Sequence, residues 1–183
     1  MQLLIEHKTK KTVVLAIMGA LAIVLSTLEN LILPAMPFLP PGAKPGLSNI
    51  VTMFVAGTFG IGATFYVIFI KSLFVLVTRG MSAFVISLAG GILSGIVMTV
   101  LIRMKFESIS YIGISVLAAV SHNIGQLIMS VIYSGTIALV NYLPVLLVFG
   151  VISGLITGII ICISMPKIKA AYAAQGLNGG SLL

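Results

Sequence analysis

Residues Pro34–Asn49 read Pro-Ala-Met-Pro-Phe-Leu-Pro-Pro-Gly-Ala-Lys-Pro-Gly-Leu-Ser-Asn. This stretch holds five of the chain's seven prolines and lies between two long apolar segments. Proline fixes φ and has no N–H to donate, so the stretch cannot be the interior of a helix. Each residue before a proline is pushed toward extended geometry as well. Irregular backbone beside a membrane is tolerated only where protein or a water-filled cavity satisfies its polar groups. Two readings follow. The stretch is either a stiff extracellular connector or one wall of a binding pocket, with Lys44 and Asn49 as its polar contacts.

The apolar segments on either side set the class. Hydrophobic residues make up 60% of the chain and charged residues 7%, and the mean hydropathy is +1.27. A soluble domain carries about 25% charged residues. The composition therefore predicts an all-α integral membrane protein with one transmembrane domain over residues 1–169 and a short tail over 170–183. Met1–Lys11 is polar and charged, so no cleavable signal peptide is expected. The single cysteine, Cys162, cannot form an internal disulfide and implies no redox compartment.

A helix needs about 20 apolar residues to cross the hydrocarbon core. The first span is Thr12–Leu33. Leu47–Thr78 is too long for one helix and short for two, and Gly57, Gly60 and Gly62 interrupt it. It reads as two short or tilted helices, Leu47–Ala56 and Gly62–Thr78, joined by a glycine turn. Met81–Ile102 and Ser110–Tyr133 follow. Asn141-Tyr142-Leu143-Pro144 opens a last span that runs to Ser164, and Pro166, Lys167 and Lys169 close the membrane part.

The formal net charge of +7 suggests nucleic acid, but the positive residues lie at span ends rather than on one soluble face. With six spans, Lys8, Lys10, Lys11, Arg103, Lys105, Lys167 and Lys169 collect on one side, and only Lys44 and Arg79 lie at loop positions on the other. Basic residues concentrate on the cytoplasmic side, so both termini are expected there. The expected surroundings are membrane lipid, not nucleic acid.

The residue types that are missing narrow the chemistry. The chain has no aspartate, and Glu6, Glu29 and Glu107 are scattered. Prenyl diphosphate condensation usually holds magnesium on clustered carboxylates, and no such cluster can form here. No phosphate-cradling Gly-x-x-x-x-Gly-Lys-Ser/Thr loop is present. One histidine in a span, His122, gives neither a metal cluster nor a bis-histidine haem site. The expectation is a non-enzymatic chain with no metal or cofactor.

Ionisable residues inside a membrane are costly and are functional-site candidates. Glu29 lies in the outer part of the first span, Lys71 mid to outer in the third, and His122 near the middle of the fifth with Asn123 and Gln126. Glu29 and Lys71 form either a buried structural ion pair or part of a site. The His122 stripe serves either interhelical hydrogen bonding or the same site. Joined with Lys44, Asn49 and Arg79, these groups would ring an outward-facing cavity of net positive charge, suited to an anionic or oxygen-rich small molecule. Small residues also form close-contact faces: Ala16 and Ala20; Ser87, Gly91 and Gly95; Gly150, Gly154 and Gly158.

Four motifs carry a resemblance: Phe38–Val51, Ser87-Leu-Ala-Gly-Gly91, Ser121-His-Asn-Ile-Gly-Gln-Leu127 and Tyr142-Leu-Pro144. With them the chain resembles the Gx transporter family, also known as heptaprenyl diphosphate synthase component I. That family looks like the substrate-binding S-components of energy-coupling factor (ECF) transporters. The resemblance implies a six-helix subunit that captures a vitamin- or cofactor-like molecule outside a bacterial cell membrane. It also implies assembly with a transmembrane coupling subunit and two ATPase subunits. In S-components an Ala-x-x-x-Ala face on the first helix contacts the coupling subunit, and Ala16 and Ala20 match it. Members also occur beside genes for flavin-based extracellular electron transfer and quinone synthesis. Two alternatives stay open: a membrane subunit of a flavin- or quinone-linked electron-transfer assembly, and a non-catalytic partner of a prenyl diphosphate synthase.

Overall fold

The computed structural model describes residues 2–32, 46–104 and 110–174, with side chains described within these ranges from Thr12 to Lys167, Asn30 and Ile32 excepted, and at Ala170. Lys44, Lys105, Glu107 and most of the proline-rich stretch lie outside the described residues, as does the end of the tail. The described chain is all-helical. The helices are α1 (Gln2–Ile32), α2 (Asn49–Phe59), α3 (Ile61–Arg79), α4 (Met81–Arg103), α5 (Tyr111–Ser134) and α6 (Leu143–Ala174). A largely exposed 3₁₀ segment, Ile137–Tyr142, leads into α6, with Leu139 packed against the cluster of Leu127 and Leu146.

Five of these helices are long and apolar enough to cross a membrane, and the chain is a multi-pass membrane protein. α2 is the exception. Its eleven residues extend roughly 16 Å, about half of the 30 Å hydrocarbon core. Yet α2 is the most enclosed element, with Asn49 and every residue from Val51 to Thr58 buried. The break expected within Leu47–Thr78 falls at Gly60, whose φ of 79° favours glycine. Asn49 and Lys71 stand eleven positions on either side of Gly60 and are hydrogen-bonded to each other. α2 and α3 are therefore an antiparallel hairpin folded at that glycine, and α2 begins beside the middle of α3.

Glycines set the packing of the other helices. A Cβ at Gly91 or Gly95 would lie 2.6 or 2.7 Å from Ile68 of α3. A Cβ at Gly154 would lie 2.5 Å from Val116 Cα, and one at Gly158 would lie 2.6 Å from Ile112 Cα, both on α5. The α6 glycines meet backbone, which leaves no room for a larger residue, and the α4 glycines meet the Ile68 side chain, so both small-residue faces serve packing inside the bundle. The paired positions run in opposite senses along α4, α5 and α6, so each of these helices reverses the one before it. The main apolar cluster joins Ala22 of α1, Val51 and Val55 of α2, Val67 of α3, Met98 of α4, Ala118 of α5 and Ile161 of α6.

α6 differs from its sequence reading at its end. The helix passes through Pro166 and continues to Ala174. Proline there removes the N–H that would bond the Cys162 carbonyl. Cys162 is exposed, and one missing bond on an exposed face leaves the rest of this 32-residue helix intact.

Candidate functional site

The start of α2 gathers the buried charges. Ser48 precedes the helix in αR geometry and its side chain makes no capping bond. Its N–H donates instead to Glu29 Oε1 across 2.8 Å, a buried contact with α1. A carboxylate at a helix N-terminus meets unbonded N–H groups and the positive end of the helix dipole. One residue later, Asn49 Oδ1 accepts from Lys71 Nζ at 3.0 Å. Glu29 is 1% exposed and Lys71 3%, so both ions are enclosed by protein. The two opposite charges are thus held by adjacent residues at the start of α2. Gly46, with φ of 85°, lets the chain turn into this position beside Ser153 of α6.

A second polar group lies between α4, α5 and α6. His122 and Gln126 face α4, where Gly90 leaves room for them. A Cβ at Gly90 would lie 2.6 Å from Gln126 Cγ and 3.2 Å from His122 Cε1. His122 Nδ1 lies 3.5 Å from Ser94 Oγ. Asn123 turns the other way, and its Nδ2 donates to the Leu146 carbonyl of α6 at 2.8 Å. The expected single stripe is therefore split between two neighbours. Gln126 Oε1 is buried and has no hydrogen-bond partner.

The two groups share a level in the bundle. Lys71 lies nine residues before Gly80 and Gln126 nine residues before Gly135, each roughly 13 Å along its helix from the same end of the bundle. α6 links the groups. Gly150 lies against Asn123, and one turn on, Ser153 lies against Gly46. Arg79 is exposed at the last turn of α3, about 12 Å along the helix from Lys71. Of the expected site residues, Glu29, Asn49 and Lys71 come together, as do His122 and Gln126, with Asn123 on the same helix turned toward α6.

Sequence reasoning missed Ser48 and Ser94. Ser48 acts through its backbone N–H, which no side-chain pattern reveals. Ser94 was hidden in a small-residue run, although it stands four residues after Gly90 on the same helix face.

Ala16 and Ala20 are exposed on α1 together with Val13, Ile17, Leu21 and Val24. Gly19, Ala22, Ser26 and Glu29 are buried on the opposite side of that helix. Gly19 meets Ile70 of α3 at 3.8 Å.

The model of the heptaprenyl diphosphate synthase component I family matches residues 18–163, which spans the chain from α1 through most of α6. The chain belongs to this family. The match includes every site residue described above except Ala16. No curated protein and no solved structure matches the chain. The matched residues take in the helical membrane bundle from α1 to α6.

Proposed function

We propose that this component I protein is a substrate-binding, S-component-like subunit of an ECF-type ABC transporter in a bacterial plasma membrane. It captures a small vitamin- or cofactor-like molecule at the extracellular face and delivers it inward with a coupling subunit and two ATPase subunits. The observation that carries this reading is the enclosed polar level, above all Glu29 and Lys71 held on the first residues of α2. Ionisable groups at such a depth mark substrate paths more often than plain structure. A short helix that begins inside the bundle is also how membrane transporters bring helix ends and backbone groups to a substrate.

Glu29, Lys44, Asn49, Lys71, His122, Asn123 and Gln126 are the proposed substrate residues. Ala16 and Ala20 form the proposed docking face, since small residues let a partner helix approach closely. The proposed topology has six passes with both termini in the cytoplasm, α2 being a short, partial pass. The reversal of direction at Gly60 supports that parity, and so does the basic side it creates. The role is non-catalytic, and the word synthase in the family name describes an assembly rather than this chain's chemistry.

Affinity purification of the tagged chain from its native membranes tests the reading. Co-purification of two ATPases and a coupling subunit is expected. Recovery with a flavoprotein, or with a soluble prenyltransferase, contradicts it.

A further inference from the structure

Within the binding site proposed above, and resting on that reading, Gln126 sets the chemical class of the bound molecule. We infer that the site takes a neutral head group carrying a hydrogen-bond donor beside an acceptor, as in an imide or a lactam. Two observations lead there. First, Gln126 is 3% exposed, and its Oε1 is enclosed without a hydrogen-bond partner. An unmet buried acceptor is costly, and native structures keep few of them without a purpose. A carboxamide bears an acceptor and two donors in one plane. Its complement is an edge with the same two functions in reverse, which is how glutamine reads adenine bidentately. Turning the amide over puts its NH₂ where the oxygen stands and calls for the same kind of edge.

Second, the two opposite charges at this level are each already engaged by the start of α2. Glu29 accepts from Ser48 N–H, and Lys71 donates to Asn49 Oδ1. The two ions carry opposite signs, contact the adjacent residues Ser48 and Asn49, and sum to zero. The remaining cation of α3, Arg79, is exposed near the end of the bundle. An anion here would need Lys71 to leave Asn49, whereas a neutral donor–acceptor edge finds Gln126 waiting. This replaces the anionic substrate expected from the count of basic residues.

Three small molecules on one scaffold test the inference with the purified full chain in nanodiscs. Succinimide carries the N–H between two carbonyls, N-methylsuccinimide lacks the donor, and succinate is the anion. Succinimide is expected to bind measurably by saturation-transfer NMR, with N-methylsuccinimide weaker by roughly tenfold or more. Gln126→Leu is expected to lose the same factor for succinimide without a lower unfolding temperature, because no internal bond is broken. Gln126→Met gives the same readout should the leucine variant fail to fold. Equal binding of the two imides, tighter binding of succinate, no binding of succinimide, or full binding by the Gln126 variants each overturns the inference. Purification with ATPase partners is unaffected by any of these results, so the transport reading stands or falls separately.

Discussion

Glu29 and Lys71 are bound to consecutive residues of the same helix start, and that makes them interdependent. Removing Glu29 leaves the Ser48 N–H and a lysine charge in the interior. Removing Lys71 leaves a carboxylate there. Breaking one side of such an arrangement costs about 3–5 kcal/mol. Glu29→Ala and Lys71→Ala are each expected to lower the unfolding temperature in detergent, and the double variant is expected to be milder than the sum of the two. Strictly additive losses would show that the residues act separately. Which residues carry charge into the bundle was legible in the sequence, because ionisable side chains in apolar runs are few. Their contacts were not. The Glu29 partner is a backbone N–H, and Asn123 faces α6 rather than the side shared by His122 and Gln126. A one-residue step around a helix is about 100°, and only the neighbours decide which face meets which.

At the scale of elements, glycine explains both the packing and the break. Gly154→Ala would press a methyl group onto the Val116 backbone, 2.5 Å away, and backbone cannot step aside. It is expected to destabilise by roughly 1–3 kcal/mol. Gly62 has nothing within 4 Å and lies in the first turn of α3. Gly62→Ala is expected to be neutral or to stabilise by up to about 1 kcal/mol. Thermal unfolding of the pair in one detergent checks both, and equal effects would contradict the packing described here. The sequence showed a glycine interruption between Leu47 and Thr78 but not which glycine turned. Positive φ belongs to Gly60 alone of the three, and that depends on how α2 folds back rather than on composition. The passage of α6 through Pro166 was likewise illegible, since a proline stop is local whereas helix length is set by the rest of the bundle.

For the whole molecule, the predictions concern orientation and assembly. With both ends in the cytoplasm, a cysteine at position 170 on a Cys162→Ser background should react with membrane-impermeant thiol reagents only after the cells are opened. Labelling in intact cells would reverse the topology. Ala16→Trp and Ala20→Trp point into the exposed face of α1, so each should leave the chain folded and ligand-competent while preventing partner assembly. An intact complex carrying both changes would make that face a lipid surface. The membrane class and helical architecture were legible because long apolar runs and sparse charge permit little else. The shared level of the polar groups was not, because it arises from hairpin pairing across Gly60 and Gly80.

In the proposed function, the enclosed polar level holds a small molecule. Native mass spectrometry of the chain released from its own membranes tests it most directly. The account predicts a bound small molecule on the wild-type chain that is absent from a folded Lys71→Ala, Gln126→Leu variant. The same adduct on both chains, or no adduct on the wild type, would contradict it.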